Sequence, residues 1–231
     1  MTGQSITAVD AITHDAVNEV LFPLIPETAS RILDVGCGTG TFGERLKAMS
    51  PDREVVGITL SPQEAEQAKR RLDSVHILDL NRYDTVLPPA DFDCIVCSHV
   101  LAYFVNTEYV LMRLREKLIA RNGVLVVAVP NVVHWRQRAD FLKGRFEYSD
   151  YGILHRGCLR LFDRRGAHTC IESSGFDILE SRTDGYLPMP GLRRIAPKLA
   201  ERVDRRAASL LPGLLGTQFL IQARPSKLPN G

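Results

Sequence analysis

Asp34, followed by glycines at positions 36, 38 and 40, is the combination in this 231-residue chain with the clearest chemical content. The acid closes a short apolar run, Arg31 to Val35. The three alternate glycines let the backbone turn tightly and approach a ligand before a helix begins near Thr41. A dinucleotide turn spaces its glycines as G-x-G-x-x-G and seats a pyrophosphate over the turn, where a carboxylate would repel it. Here the spacing is G-x-G-x-G with an acid in front, which suits a cationic ligand. A P-loop is excluded more firmly, because no Lys-Ser or Lys-Thr follows the glycines. An ordinary glycine-rich turn is the bland reading of the same residues.

Histidine is the natural general base because its unperturbed pKa lies near neutrality. The candidates are His99 and Tyr103 after the fourth apolar run, His134 after the fifth, and His155 beyond it. A lone loop histidine is more often structural, and the two placed in the most irregular part of the chain, His134 and His155, are the stronger candidates. The five cysteines are an odd count and make no disulfide framework. Cys94 and Cys97 lie in a predicted strand, where an odd separation puts them on opposite faces and prevents them from chelating one ion. Cys37, inside the glycine loop, reads as packing. No metal-ligand cluster is evident.

These residues need a scaffold, and apolar runs alternate with helical patterns throughout. That order predicts a parallel sheet covered on both faces. Val55 to Ile58, Ile95 to Cys97 and Val124 to Val129 are nearly continuous apolar strands. Ser61-Pro-Gln-Glu64 reads as a capping box with proline at N1, opening a helix through Leu72. After Asn106, Val110, Leu111, Leu114 and Leu118 share one helical face. Asp163 reads as an N-cap and Gly175 as the stop of that helix. With 45% apolar residues the chain can bury a core as one domain, residues 1–231. A net charge of +2 gives no reason to expect nucleic-acid binding. The start of the chain lacks a signal-like pattern, and no run of 18 apolar residues occurs, so a soluble, cytoplasmic protein is expected.

In order and content these motifs resemble class I S-adenosylmethionine-dependent methyltransferases. The glycine loop is joined by Arg53 to Pro62, Val75 to Leu80, Asp91 to Leu101 and Asn122 to Asn131, which look like the family's next four strands and turns. Residues 175–179 and 218–222 would close the sheet. The resemblance covers roughly residues 28–183 and 216–224. It implies a Rossmann-like, doubly wound, mostly parallel seven-stranded α/β sheet with helices on both faces and an antiparallel last strand. It also implies S-adenosyl-L-methionine as cofactor, whose ammonium and sulfonium match the acid at Asp34. By the same match, backbone around Gly36, Cys37, Gly38 and Gly40 faces the methionine part. Asp79 accepts from the adenine amino group and the Leu80 amide serves a ring nitrogen. Leu60, Ser98 and His99 join the cofactor set. A plain turn before Asn81 is the other reading of Asp79.

The sequence departs from the family at Thr59, where an acid usually holds the ribose. Gly57 to Ser61 resembles the version in cyclopropane-fatty-acid synthase-like methyltransferases, which would give Glu64 the ribose role. The capping box is its rival assignment.

Two stretches break the alternation: about 131–162, aromatic, basic and histidine-containing, and about 185–216, with prolines at 188, 190, 197 and 212 around the arginine-rich 192–211. Both read as acceptor-cap insertions. The second could instead be a solvated amphipathic helix, and peripheral membrane contact by 190–212 stays open. Pro130 to Arg136, Gly144 to Tyr148, Asp150 to Leu154 and Leu159 to Phe162 are similar to a bacterial subgroup near the MetW-like proteins, often associated with glycans or secondary metabolites. Tyr103, His155 and Cys158 depart from that subgroup on the acceptor side. The expected reaction is methyl transfer to oxygen, in preference to nitrogen, of a small metabolite or saccharide, with His134, His155 and Tyr103 as catalytic candidates. A non-catalytic cofactor-binding or accessory protein is the alternative. A homo-oligomer is compatible with either.

Overall fold

A computed structural model describes residues 17–150, 152–185, 194 and 197–227. The amino-terminal residues and prolines 188 and 190 of the second insertion lie outside the described residues.

Seven strands form one sheet in the order β3-β2-β1-β4-β5-β7-β6. They are β1 (Arg31–Val35), β2 (Glu54–Thr59), β3 (Ser74–Ile77), β4 (Cys94–Ser98), β5 (Val124–Pro130), β6 (Phe176–Gly185) and β7 (Gly216–Pro225). Pairings among β1 to β5 are parallel, and β7 runs antiparallel to both β5 and β6. The expected fold is therefore present, with the antiparallel strand inserted beside β5 and β6 outermost. Around the sheet lie α1 (Thr41–Met49), α2 (Pro62–Ala68), α3 (Thr107–Ile119), α4 (Trp135–Leu142), α5 (Arg164–Ser173), α6 (Pro197–Leu210) and α7 (Pro212–Leu215).

Strand periodicity divides the core in two. Leu33, Val35, Ile58, Ile95, Cys97, Val127 and Val129 pack with Val110, Leu111, Leu114 and Leu118 of α3 and with Ala167, Cys170 and Ile171 of α5. The alternate residues Ile32, Val55, Cys94, Val96, Val126 and Ala128 pack with Phe42 and Leu46 of α1, Ala68 of α2, and Leu21 and Leu24 of a 3-10 turn at Glu19–Leu24. Cys94 and Cys97 thus bury their thiols in opposite cores. Burial raises the pKa of both, so neither behaves as a redox pair.

Helix ends follow the sequence with one correction. Asn106 and Asp163 cap α3 and α5 by accepting from Tyr109 N and Gly166 N, and Gly175 follows α5 with φ 83°. α2, however, ends at Ala68 and does not run to Leu72; the chain continues in tight turns that bring Leu72 back onto the α1 side of the core. β3 also ends at Ile77, leaving Asp79 in a loop. No helix separates β3 from β4. That loop is pinned instead by Asn81, whose amide donates to Tyr103 O at 3.3 Å and accepts from Val105 N at 2.8 Å.

The first insertion begins and ends at one point, where Asn131 and Phe162 bridge and Val132 N donates to Phe162 O at 2.9 Å. The second is closed by the Gly185–Gly216 pairing of β6 and β7. Asn131, fully buried, joins the two: its amide nitrogen donates to Gly216 O at 2.7 Å and Gly213 O at 3.1 Å.

Candidate active site

In an open α/β sheet, ligands bind outside the carboxyl ends of the strands, where the strand order reverses. Here the reversal lies between β1 and β4, and the residues expected to bind cofactor collect along the ends of β3, β2, β1 and β4.

The loop after β1 is built by its glycines. Gly36 N and Cys37 N both donate to Ile58 O, at 2.8 and 2.9 Å, which folds the loop over β2. Gly36, Gly38 and Gly40 all have positive φ. A Cβ on Gly36 would lie 2.8 Å from Val100 Cγ2, whereas one on Gly38 would meet nothing within 4 Å. The first glycine is thus required by the neighbouring β4 loop, and the second leaves room over the turn. Arg71 holds the far side, donating to Thr39 O at 2.8 Å and Thr39 Oγ1 at 2.9 Å.

At the base of this loop Asp34 is only 2% exposed, and its Oδ2 has no hydrogen-bond partner among the described residues. Burial raises its pKa from 3.8 to about 7. A buried, underserved carboxylate at the foot of a turn that leaves room at Gly38 is suited to receive a cation. Burial first, then the charges of Asp34 and Glu64, push the Cys37 thiol up, which fits packing and not reactivity.

Thr59 Oγ1 donates to Glu64 Oε2 at 2.6 Å. Ser61 caps α2 by accepting from Glu64 N at 3.3 Å, so half of the capping box forms. The reciprocal half does not, because the Glu64 carboxylate turns to the end of β2. Leu60 is 65% exposed beside it. Asp79 lies next along the edge, since Leu78 N donates to Thr59 O at 3.0 Å. Asp79 Oδ1 accepts from Asn81 N at 3.0 Å, the turn geometry; Leu80 is buried.

At the end of β4, His99 takes φ 58°, an uncommon conformation for a side-chain-bearing residue, and its N–H donates to Ala128 O at 2.9 Å. The structure also brings in residues that sequence reasoning missed. Asn18, from the segment before the 3-10 turn, reaches Ser98, His99 and Gln218, and Gln218 reaches Asp184. No local pattern marks Asn18; only the chain's return past β4 and β7 gives it a role.

Two of the three catalytic candidates meet. Tyr103 Oη lies 3.3 Å from His155 Nδ1, their rings packing edge-on at 5.6 Å. Gly157 N also donates to that nitrogen at 3.0 Å. Burial, then the neighbouring Cys158, raises the Tyr103 pKa to about 12, so its hydroxyl stays protonated at neutral pH. Among the described residues His134 makes no hydrogen bond or ring contact with this pair. It precedes α4, is 3% exposed, and packs 5.7 Å from the Trp135 ring. Burial lowers its pKa, with the Gln137 amide acting in the opposite sense and Arg136 in the same, so it is neutral near pH 7. Among the described residues no cluster of acids, histidines and cysteines is placed to hold a metal ion.

A family described as a methyltransferase domain matches residues 33–125, the span from the middle of β1 to β5 that carries this edge. Over residues 33–125 the chain is similar to methyltransferase domains, and its seven-stranded sheet is the fold of S-adenosylmethionine-dependent methyltransferases. Their cofactor is S-adenosylmethionine, and the underserved Asp34 carboxylate and the open turn at Gly38 fit its cationic methionine part. The chain is 34% identical over 112 residues to a trans-aconitate 2-methyltransferase of Methylobacterium radiotolerans, covering 48% of this chain and 42% of that protein. It is 36% identical over 108 residues to a dTDP-4-amino-2,3,4,6-tetradeoxy-D-glucose N,N-dimethyltransferase of Saccharopolyspora spinosa, covering 45% and 41%. The chain spans between a quarter and about half of the length of the curated relatives it matches. An S-adenosylmethionine-dependent methyltransferase from Mesorhizobium loti shares the fold at a TM-score of 0.60 with 19% identity, covering 89% of this chain and 96% of the other. A TehB-like methyltransferase from Corynebacterium glutamicum does so at 0.56, also with 19% identity, covering 93% and 90%.

Proposed function

We propose that the protein transfers a methyl group from S-adenosylmethionine to an oxygen, in preference to a nitrogen, of a small metabolite or saccharide. The observation that carries this reading is Asp34: a carboxylate buried at the foot of an open glycine turn, with one oxygen unserved. When bound, the cofactor supplies a methyl group on a sulfonium that is already a good leaving group.

The residues then divide the work. Asp34 and the backbone at Gly36 to Gly40, with Cys37 packed beneath, orient the methionine part. Glu64, held by Thr59, accepts from the ribose, with Leu60 covering it. Asp79 accepts from the adenine amino group through the oxygen its turn leaves available, and the Leu80 amide serves a ring nitrogen. Ser98 and His99 complete the wall at β4. Such a site needs chiefly to hold the acceptor in line, so positioning is a large part of the rate. A base is required only if the acceptor must lose a proton, and His134, neutral near pH 7, suits that task best. Tyr103 and His155 act as a pair, the tyrosine hydroxyl donating.

The two insertions, joined through Asn131, form the acceptor cap on a single methyltransferase domain. The relatives named above act on a small carboxylic acid and a nucleotide sugar by their names, which supports the small-molecule class. The MetW-like resemblance supports a role in glycan or secondary metabolism. Among the described residues no helix is long and apolar enough to cross a membrane, which is compatible with the cytoplasmic setting we propose. Peripheral contact through 190–212 and homo-oligomers are compatible with the same reading. A purely accessory role is not favoured, because the similar relatives named above are themselves methyl-transferring enzymes by name. Incubation with cofactor and a panel of hydroxy acids, sugars and nucleotide sugars, read by mass, should yield a product heavier by one methyl group. Cofactor binding with no product across cell-extract metabolites would favour the accessory reading.

A further inference from the structure

Four polar side chains from four separate segments meet at the carboxyl end of β4. Asp184 of β6 and Gln218 of β7 are paired across the antiparallel ladder, and Gln218 Nε2 donates to Asp184 Oδ2 at 2.9 Å. A carboxylate only accepts hydrogen bonds, so this contact fixes which end of the Gln218 amide carries nitrogen. Its oxygen accepts from Asn18 Nδ2 at 2.9 Å, and the reverse bond, Gln218 Nε2 to Asn18 Oδ1, spans 3.3 Å. The Asn18 amide is thereby oriented as well. Of its two N–H hydrogens one serves Gln218. The other has His99 Nε2 at 3.2 Å and Ser98 Oγ at 3.4 Å. A ring nitrogen that receives an N–H donor must present its lone pair, which leaves the imidazole proton on Nδ1.

We propose that Asp184, Gln218 and Asn18 are positioning residues that lock His99 as the neutral Nδ1–H tautomer, making it a fixed hydrogen-bond donor and not a general base. The backbone supports the same conclusion. His99 is held at φ 58° between Ser98 and Val100, and Val100 packs on Gly36 of the cofactor loop. A left-handed non-glycine residue persists only where its surroundings over-determine it, and such strain clusters at functional sites. The tautomer follows from the hydrogen bonds alone. That His99 donates to an oxygen of the bound ligand rests on the function proposed above. With Nε2 engaged, base work falls to the other candidates.

The test is the imidazole nitrogen spectrum of the isotope-labelled full chain without cofactor, at mildly alkaline pH, with His99 assigned by its loss in His99→Gln. The proposal expects a protonated Nδ1 and an unprotonated Nε2. Asn18→Asp, which replaces the donor with a group that only accepts, should move a proton onto Nε2. Asn18→Ala should leave a mixture of tautomers. A wild-type ring protonated at Nε2 overturns the proposal, and this outcome needs no variant to fold. An unchanged tautomer in both variants overturns it equally. Because no cofactor is present, either result is independent of whether the crevice binds one.

Discussion

The hydroxyl of Thr59 donates to the carboxylate of Glu64 at 2.6 Å, across the turn that joins β2 to α2. Glu64 therefore does not close the capping box that Ser61 begins, and it presents its charge at the end of β2, where an acid in the strand itself would otherwise stand. The threonine holds a carboxylate from the first turn of the helix at the strand end, where the proposed ribose role requires it.

Glu64→Ala should accordingly weaken cofactor binding about tenfold or more while leaving the melting temperature nearly unchanged, since the helix retains its Ser61 cap. Glu64→Gln should keep much of the affinity, because an amide still accepts one bond and donates another. Thr59→Val should cost less than Glu64→Ala, as it only loosens the carboxylate. Calorimetry and thermal melts on the three variants check this. A Glu64→Ala protein with wild-type affinity would remove the ribose assignment.

Asp34 gives a pH dependence of defined sign. Its folded pKa of about 7 exceeds the ordinary 3.8, so the folded state holds this proton to higher pH than the unfolded chain. The associated stability is present in full below about pH 4 and is lost as pH rises through about 7. The loss amounts to roughly 4 kcal/mol at about 1.4 kcal/mol per pKa unit. The cofactor-free melting temperature should fall over that interval, and Asp34→Asn should flatten the fall. Cofactor affinity should run the other way in the wild type, increasing from pH 6 to 8 as the carboxylate ionises. Asp34→Asn should bind weakly at every pH. An affinity that declines over that range would contradict the role of Asp34 as cation receptor.

Asp79→Ala should weaken cofactor binding by roughly tenfold, the equivalent of one ligand hydrogen bond of about 1 to 2 kcal/mol. The Asp79 side chain also turns the chain toward Asn81, so a small loss of stability is expected with it. An affinity unchanged within error, with the stability loss present, would leave Asp79 as a turn residue only.

The sheet was legible in the sequence because five apolar strands and their glycine and proline punctuation carry strong local signals. The caps at Ser61, Asn106 and Asp163 each sit on a side-chain oxygen three residues before its partner amide. The end of α2 was not legible: the apolar pattern reaches Leu72, but that residue packs from a turn and not from a helix. At the site, Asp34 and the glycines are encoded within one loop. The group at Asn18, Asp184 and Gln218 is spread over 200 residues of chain and exists only once β7 inserts beside β5. The Tyr103–His155 contact is similarly long in range, and His134, named with them from sequence, packs on Trp135 without a hydrogen bond or ring contact to either.

If His134 is the base, His134→Gln should lower turnover by about 10²- to 10⁴-fold with little change in cofactor affinity. The acidic limb of the wild-type rate profile should lie below the ordinary histidine range, since burial lowers this pKa. The measurement is turnover against pH for both proteins. Unchanged turnover in the variant would pass the role to the Tyr103–His155 pair.

The central claim is that the crevice above β1 and β4 is built for S-adenosylmethionine, and calorimetric titration of the purified full chain tests it most directly. S-adenosylmethionine and its demethylated product should each bind with saturable heat, and NAD should give none. Binding of NAD at micromolar affinity, with no response to either sulfur ligand, would contradict the account.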